Sequence, residues 1–119
     1  MREYLRFYIN GQWVDPVEPR SLDVDNPTTE KVSGRIALGA TADVDHAVEA
    51  ARKAFTTWSQ STREERLDVL GAILVEYQKR AADLADAVGE EMGAPAALAA
   101  GPQVGLGLGH LATAMEVLK

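Results

Sequence analysis

No cysteine occurs among the 119 residues. That excludes disulfides, thiolate metal sites and a cysteine nucleophile within this chain. Histidine is almost as scarce. His46 and His110 stand far apart on separate predicted helices, and a zinc site needs three or four ligands, so both are expected in surface or packing roles. Basic residues are outnumbered: 12 Lys and Arg against 18 Asp and Glu leave a net charge of −6. A phosphate backbone repels such a surface and no basic stripe offsets it, so neither nucleic acid nor an anionic membrane is an expected partner. Long apolar runs are missing too. The longest weakly polar stretch, Gln103 to Met115, is too short to span a bilayer and contains His110. The opening Met1-Arg2-Glu3-Tyr4-Leu5-Arg6 has no apolar h-region and no small-residue cleavage site, so no signal peptide is expected and a cytoplasmic location is.

What is present is an ordinary globular composition, with 46% apolar and 25% charged residues, in a length that suits one small domain. Residues 1–40 read as β-structure. Phe7-Tyr8-Ile9 and Gln12-Trp13-Val14 flank Asn10-Gly11, a pair that suits a two-residue hairpin turn with both φ angles positive. Leu22 and Val24 alternate with polar neighbours, Asn26-Pro27-Thr28-Thr29 forms a turn, and Val32 to Leu38 returns as a strand. Gly34 inside that strand predicts a bulge or a close backbone approach.

Residues 41–119 read as helical. Thr41 is placed to cap the first helix, with Asp43 and Asp45 in its first turn. Val44, Ala47, Val48, Ala51, Phe55 and Trp58 recur at three- and four-residue steps and share a face expected to be buried. Ser61 with Glu64, or Thr62 with Glu65, fits a capping box for a second helix, whose buried stripe is Leu67, Leu70, Ile73, Leu74 and Tyr77. A third helix covers about Ala81 to Met92, with Gly93 just past its end. Pro102 is placed at the start of a last helix that ends near Lys119. Gly101, Gly105 and Gly109 line one face of it and offer a smooth surface for close packing. The fold class is α/β, or α+β for the piece in isolation: two β-hairpins followed by three to four α-helices, forming a single partial domain over residues 1–119.

Three motifs invite a chemical reading and fail it. Gly105-Leu106-Gly107-Leu108-Gly109 resembles a dinucleotide loop, but the sixth position is His110 and helical sequence precedes it, so helix packing is the better reading. Glu90 and Glu91 are adjacent on a helix and point in different directions, which argues against a paired acid and base. Trp13, Phe55 and Trp58 fit core burial better than a binding platform.

Five segments in order resemble the N-terminus of the aldehyde dehydrogenase superfamily. They are Tyr8-Ile9-Asn10-Gly11-Gln12-Trp13-Val14, Asn26-Pro27-Thr28-Thr29-Glu30, the run from Ala42 to Phe55 with Trp58, Glu64 with Arg66-Leu67, and Glu91-Met92-Gly93-Ala94-Pro95. Glu30 and Ala94 stand where that family more often has glycine and lysine. The resemblance implies a much longer parent, with this stretch an outer part of its cofactor domain. It implies thiolate attack on an aldehyde, hydride transfer to NAD or NADP, and hydrolysis of the resulting thioester to a carboxylic acid. The cysteine, the water-activating glutamate, the oxyanion-hole asparagine and the dinucleotide-binding residues all lie downstream in the family. No catalytic or cofactor-binding residue is therefore carried over, and neither NAD nor NADP is expected to bind this chain alone. One site is carried over. Some members hold a monovalent cation through backbone oxygens before the Asn-Pro turn and a carboxylate before the glycine of the Met-Gly segment, which map to Val24, Asp25 and Glu91. The implied partners are the remainder of a dehydrogenase chain or further copies in a homo-oligomer, with an aldehyde as substrate of the parent only. A short non-catalytic interaction module derived from the same family is the alternative.

Overall fold

The computed structural model describes residues 2–119. They divide into two compact units, Met1–Gln60 and Ser61–Lys119.

The first unit begins with strand β1 (Arg2–Tyr4), then β2 (Phe7–Ile9), β3 (Gln12–Val14), β4 (Arg20–Asn26) and β5 (Lys31–Leu38), and ends in helix α1 (Thr41–Trp58). The Asn-Gly hairpin forms as its sequence predicts. β2 and β3 pair antiparallel with Phe7 opposite Val14 and Ile9 opposite Gln12, and Asn10 and Gly11 have φ of 53° and 75°. Tyr8 faces Trp13 across the pair, with ring centroids 5.3 Å apart. A Cβ at Gly11 would meet nothing within 4 Å, so its cost there is purely conformational. We expect Gly11→Val to destabilise this unit by roughly 1–2 kcal/mol, the penalty of a left-handed L-residue, read by urea denaturation.

β4 and β5 form the second hairpin, antiparallel from Arg20 opposite Leu38 to Asn26 opposite Lys31. Its turn is held by the Asn26 carboxamide oxygen, which accepts from the Thr28 and Thr29 amides at 2.8 and 3.2 Å. Glu30 takes φ of 55°, a left-handed value that explains why glycine suits this position. Both expectations for Gly34 are met. Val24 pairs with Gly34 and Asp25 with Val32, which leaves Ser33 as the extra residue of a bulge. A Cβ on Gly34 would sit 3.0 Å from the Arg2 carbonyl oxygen. The bare backbone there admits β1, which pairs parallel with β5 at the edge of the sheet. β1 has no counterpart in the sequence reading, because three residues carry too little pattern.

The second unit holds α2 (Arg63–Lys79), α3 (Ala81–Met92), the short α4 (Ala96–Leu98), a π-helical turn (Ala99–Gln103) and α5 (Val104–Leu118). Of the two caps considered for α2, Thr62 with Glu65 forms. The Thr62 hydroxyl accepts from the Glu65 amide at 3.1 Å and the Glu65 carboxylate accepts from the Thr62 amide at 2.7 Å. The Ser61 hydroxyl accepts instead from Arg66. Gly93 ends α3 with φ of 67°, as predicted.

The last helix corrects the sequence reading. The helical run begins at Ala96, and Pro102 lies inside it rather than at its start. Proline lacks an amide proton, and its ring crowds the carbonyl four residues back, so an α-helix does not accommodate it. The π turn opens the helix locally to i→i+5 bonding, and the Val104 amide reaches the Ala99 carbonyl. The glycine stripe is corrected as well. Cβ atoms on Gly101, Gly105 or Gly109 would touch nothing, whereas one on Gly107 would collide with the Tyr77 hydroxyl. Gly107 is therefore the close approach within this unit, and the Tyr77 hydroxyl settles there and donates to the Val104 carbonyl at 3.0 Å.

Candidate functional site

The most ordered polar arrangement in the first unit is built on Asp43. Its side chain is the one buried charged group among the described residues, at 5% exposure. One carboxylate oxygen accepts from the Ala40 amide at 2.8 Å and the other from the Val17 amide at 2.9 Å. The N-cap of α1 is Ala40, which has no side-chain oxygen. The expectation of a Thr41 cap is thus corrected: Thr41 is the first helical residue, and Asp43 reaches back from the third position to do the capping. The same carboxylate fixes the Pro16–Glu18 segment to the helix start. Hydrogen bonds from the Ala40 and Val17 amides hold the Asp43 carboxyl below its ordinary range, since both stabilise the anion. The spacing Ala40-x-x-Asp43 was available in the sequence as a signal; the contact with Val17 was not.

Beside this clasp lies an open groove of about 370 Å³, walled by residues 8–11 of the first hairpin and by Ala47, Ala50, Ala51 and Ala54 of α1. It holds no charged side chain. The apolar stripe of α1 stands exposed next to it. Val44 is 58% exposed, Val48 50%, Phe55 66% and Trp58 48%, so the expected burial of this face is not realised within the chain. Trp13, at 58% exposure, is likewise no core residue. In the second unit Leu67, Leu70, Leu74 and Tyr77 are half-buried, but Ile73 is exposed. Among the described residues the only buried apolar side chains are Ala99 and Val104, and no large side chain is fully buried.

The residues singled out for chemistry fall in both units. Val24 and Asp25 flank the bulge of β4, and the Val24 carbonyl accepts from the Ser33 hydroxyl at 3.0 Å. Glu91 is exposed in the last turn of α3, in the other unit. His46 and His110 are both exposed. Among the described residues no group of three or more His, Asp or Glu side chains is placed to hold a metal ion. Gly105 to Gly109 lie within α5. A dinucleotide cradle needs a strand, a glycine loop and a helix start, so these residues do not fit that cofactor. No described helix is long and apolar enough to cross a membrane.

Comparison with known proteins places this arrangement. The chain is 45% identical over 120 residues to 3-succinoylsemialdehyde-pyridine dehydrogenase from a Pseudomonas species, a match that covers all of this chain and 25% of that protein. Among solved structures, an aldehyde dehydrogenase from Bartonella henselae superposes with a TM-score of 0.97 at 41% identity, over 99% of this chain and 25% of that one. A mutant aldehyde dehydrogenase C from Pseudomonas syringae, solved with NAD+ and octanal, superposes with a TM-score of 0.92 at 43% identity, over 95% of this chain and 23% of that one. The chain thus spans about a quarter of the length of the relatives it matches, and the matching region is their N-terminal part. Residues 13–119 match the aldehyde dehydrogenase family, and with five ordered motifs and the same fold the chain belongs to that family.

Proposed function

We propose that residues 1–119 are the N-terminal portion of an enzyme that oxidises an aldehyde to a carboxylic acid with NAD or NADP, and that the chain alone is inactive. The observation that carries this is the pairing of near-identical fold with a quarter of the relatives' length. The missing chemistry supports it: there is no cysteine to supply a thiolate, and the glycine-rich segment is a helix interior. Residues 1–119 contribute an outer part of the cofactor domain and a scaffold for the remainder. We further propose a cytoplasmic enzyme, and that the chain by itself binds neither NAD nor NADP.

The test is aldehyde-dependent NAD(P)H formation by the purified chain, together with calorimetric titration of NAD+ and NADP+. We expect no turnover above a mock preparation and no binding heat. Turnover would mean that oxidation proceeds without a thiolate, and the reading would fail at its centre.

A further inference from the structure

The chain contains two asparagines, Asn10 and Asn26, and their surroundings set them apart chemically. An asparagine carboxamide can cyclise onto the main-chain amide of the next residue, whose nitrogen attacks Cγ and closes a five-membered ring. The reaction needs an attacking N–H, room around it and a carboxamide free to turn. Asn26 fails on two counts. Pro27 has no N–H, and the Asn26 carboxamide oxygen is already held by the Thr28 and Thr29 amides. Asn10 is exposed, and Gly11 follows it. The space that a side chain on residue 11 would occupy is empty to 4 Å. Strand pairing stops at Ile9 and Gln12, so the Gly11 amide lies outside the ladder. What holds the turn closed is weak. β2 and β3 form a sheet of their own, with three residues in each strand, and an isolated two-stranded hairpin is at best marginally stable. Local opening of such an element costs little. It frees Asn10 from its φ of 53° and lets Cγ reach the Gly11 nitrogen.

We propose that Asn10-Gly11 is a self-modification site, at which Asn10 is converted through a succinimide into isoaspartate and aspartate. Base removes the Gly11 amide proton and the N–Cγ bond forms. The Cγ–Nδ2 bond breaks, and Nδ2 leaves as ammonia with a proton from water. Water then opens the ring. Cleavage of the new N–Cγ bond gives aspartate. Cleavage at the Asn10 main-chain carbonyl carbon gives isoaspartate, whose backbone runs through Cβ and Cγ. The sum is water consumed and ammonia released, with no other reactant. Either product places a carboxylate on a groove that holds no charged side chain. Isoaspartate also lengthens the main chain by one carbon. The two-residue turn then no longer fits the register that sets Ile9 opposite Gln12, and the Tyr8–Trp13 ring contact is released.

The experiment incubates the chain at mildly alkaline pH, folded in one sample and unfolded in urea in another. Circular dichroism verifies the helix content of the folded sample. Both are digested and read by mass spectrometry, and isoaspartate is scored with an isoaspartyl methyltransferase. We expect Asn10 to show the mass change of NH2 replaced by OH, with isoaspartate among its products. Its rate in the folded chain should lie within about tenfold of the rate in urea, because the hairpin opens readily. Asn26 should convert at least about tenfold more slowly than Asn10, for want of an attacking N–H. Asn10→Gln should suppress the change at this position, since its longer side chain would have to close a six-membered ring. The isoaspartate form, once separated, should melt roughly 4 °C or more below the Asn10→Asp variant, which has the charge without the longer backbone. Conversion in urea with none in the folded chain would mean that the hairpin protects the site, and the proposal would fall. An Asn10 intact in both samples, aspartate formed without isoaspartate, or equal conversion of Asn26 would overturn it as well. Equal melting of the isoaspartate form and Asn10→Asp would overturn the rupture of the turn.

Discussion

Replacing Gly107 by alanine is expected to destabilise the second unit by about 1–3 kcal/mol, while the same change at Gly105 stabilises it by up to about 1 kcal/mol. The two positions share one helix and one propensity gain, since alanine exceeds glycine in a helix interior by close to 1 kcal/mol. They differ in what a Cβ meets. At Gly105 there is open space; at Gly107 the Tyr77 ring stands in the way, with its hydroxyl oxygen overlapping the new atom and its Cζ 2.7 Å from it. The ring cannot stay, so its half-buried contacts are lost along with the bond to the Val104 carbonyl, each a loss of order 1 kcal/mol or more. Those losses exceed the propensity gain. Urea denaturation of the two single variants decides the sign. A double-mutant cycle supplies the mechanism: in a Tyr77→Ala background, Gly107→Ala should become stabilising. If it stays destabilising there, the clash with Tyr77 is not the cause.

The second large effect belongs to Asp43. Asp43→Ala leaves the Ala40 and Val17 amides without their acceptor in two part-buried bonds, each a loss of order 1 kcal/mol. We expect the melting temperature to fall on the order of 5 °C or more, with Asp43→Asn recovering part of the loss because its carbonyl oxygen still accepts one of the two bonds. The same carboxyl gives the unit an acid-sensitive component. Its folded value lies below its ordinary value of 3.8, so the unfolded state binds the proton more readily. The stabilisation is therefore complete well above that value, and it fades as the pH falls through 3.8 toward the lower folded value. Melting temperatures from pH 7 to pH 2 should show a steeper acid decline for the parent chain than for Asp43→Ala. Parallel profiles would contradict this assignment.

The sequence was most legible where local chemistry decides. Asn10-Gly11 specifies its turn, Thr62 with Glu65 its cap, and Gly93 its helix end, because in each case the residues concerned interact with near neighbours. Family membership was legible for a similar reason, as five short motifs held their order. Burial was not. The 3.6-residue period of Val44, Val48, Phe55 and Trp58 correctly marks an apolar face, but periodicity reports that a face is to be covered and not by what. Within residues 2–119 that face of α1 stays open, and residues expected in the core are exposed. Long-range contacts were equally silent: nothing near Asp43 announces Val17, and nothing near Gly107 announces Tyr77. Gly101, Gly105 and Gly109 drew notice through regular spacing, while the glycine that matters lies off that pattern.

Ala99 and Val104, the two buried apolar side chains among the described residues, are five positions apart. In a regular α-helix a five-residue step overshoots one turn by about 140°, which would aim the two side chains in well-separated directions. The i→i+5 turn between them absorbs the surplus residue and brings both inward. The small core of the second unit thus depends on a helical phase slip around Pro102. Deleting a single alanine, Ala100, would shift Val104 by about 100° relative to Ala99 and move the carbonyl that Tyr77 grips. A helix of this kind can tolerate changes of side chain along its exposed faces far better than a change in its count of residues.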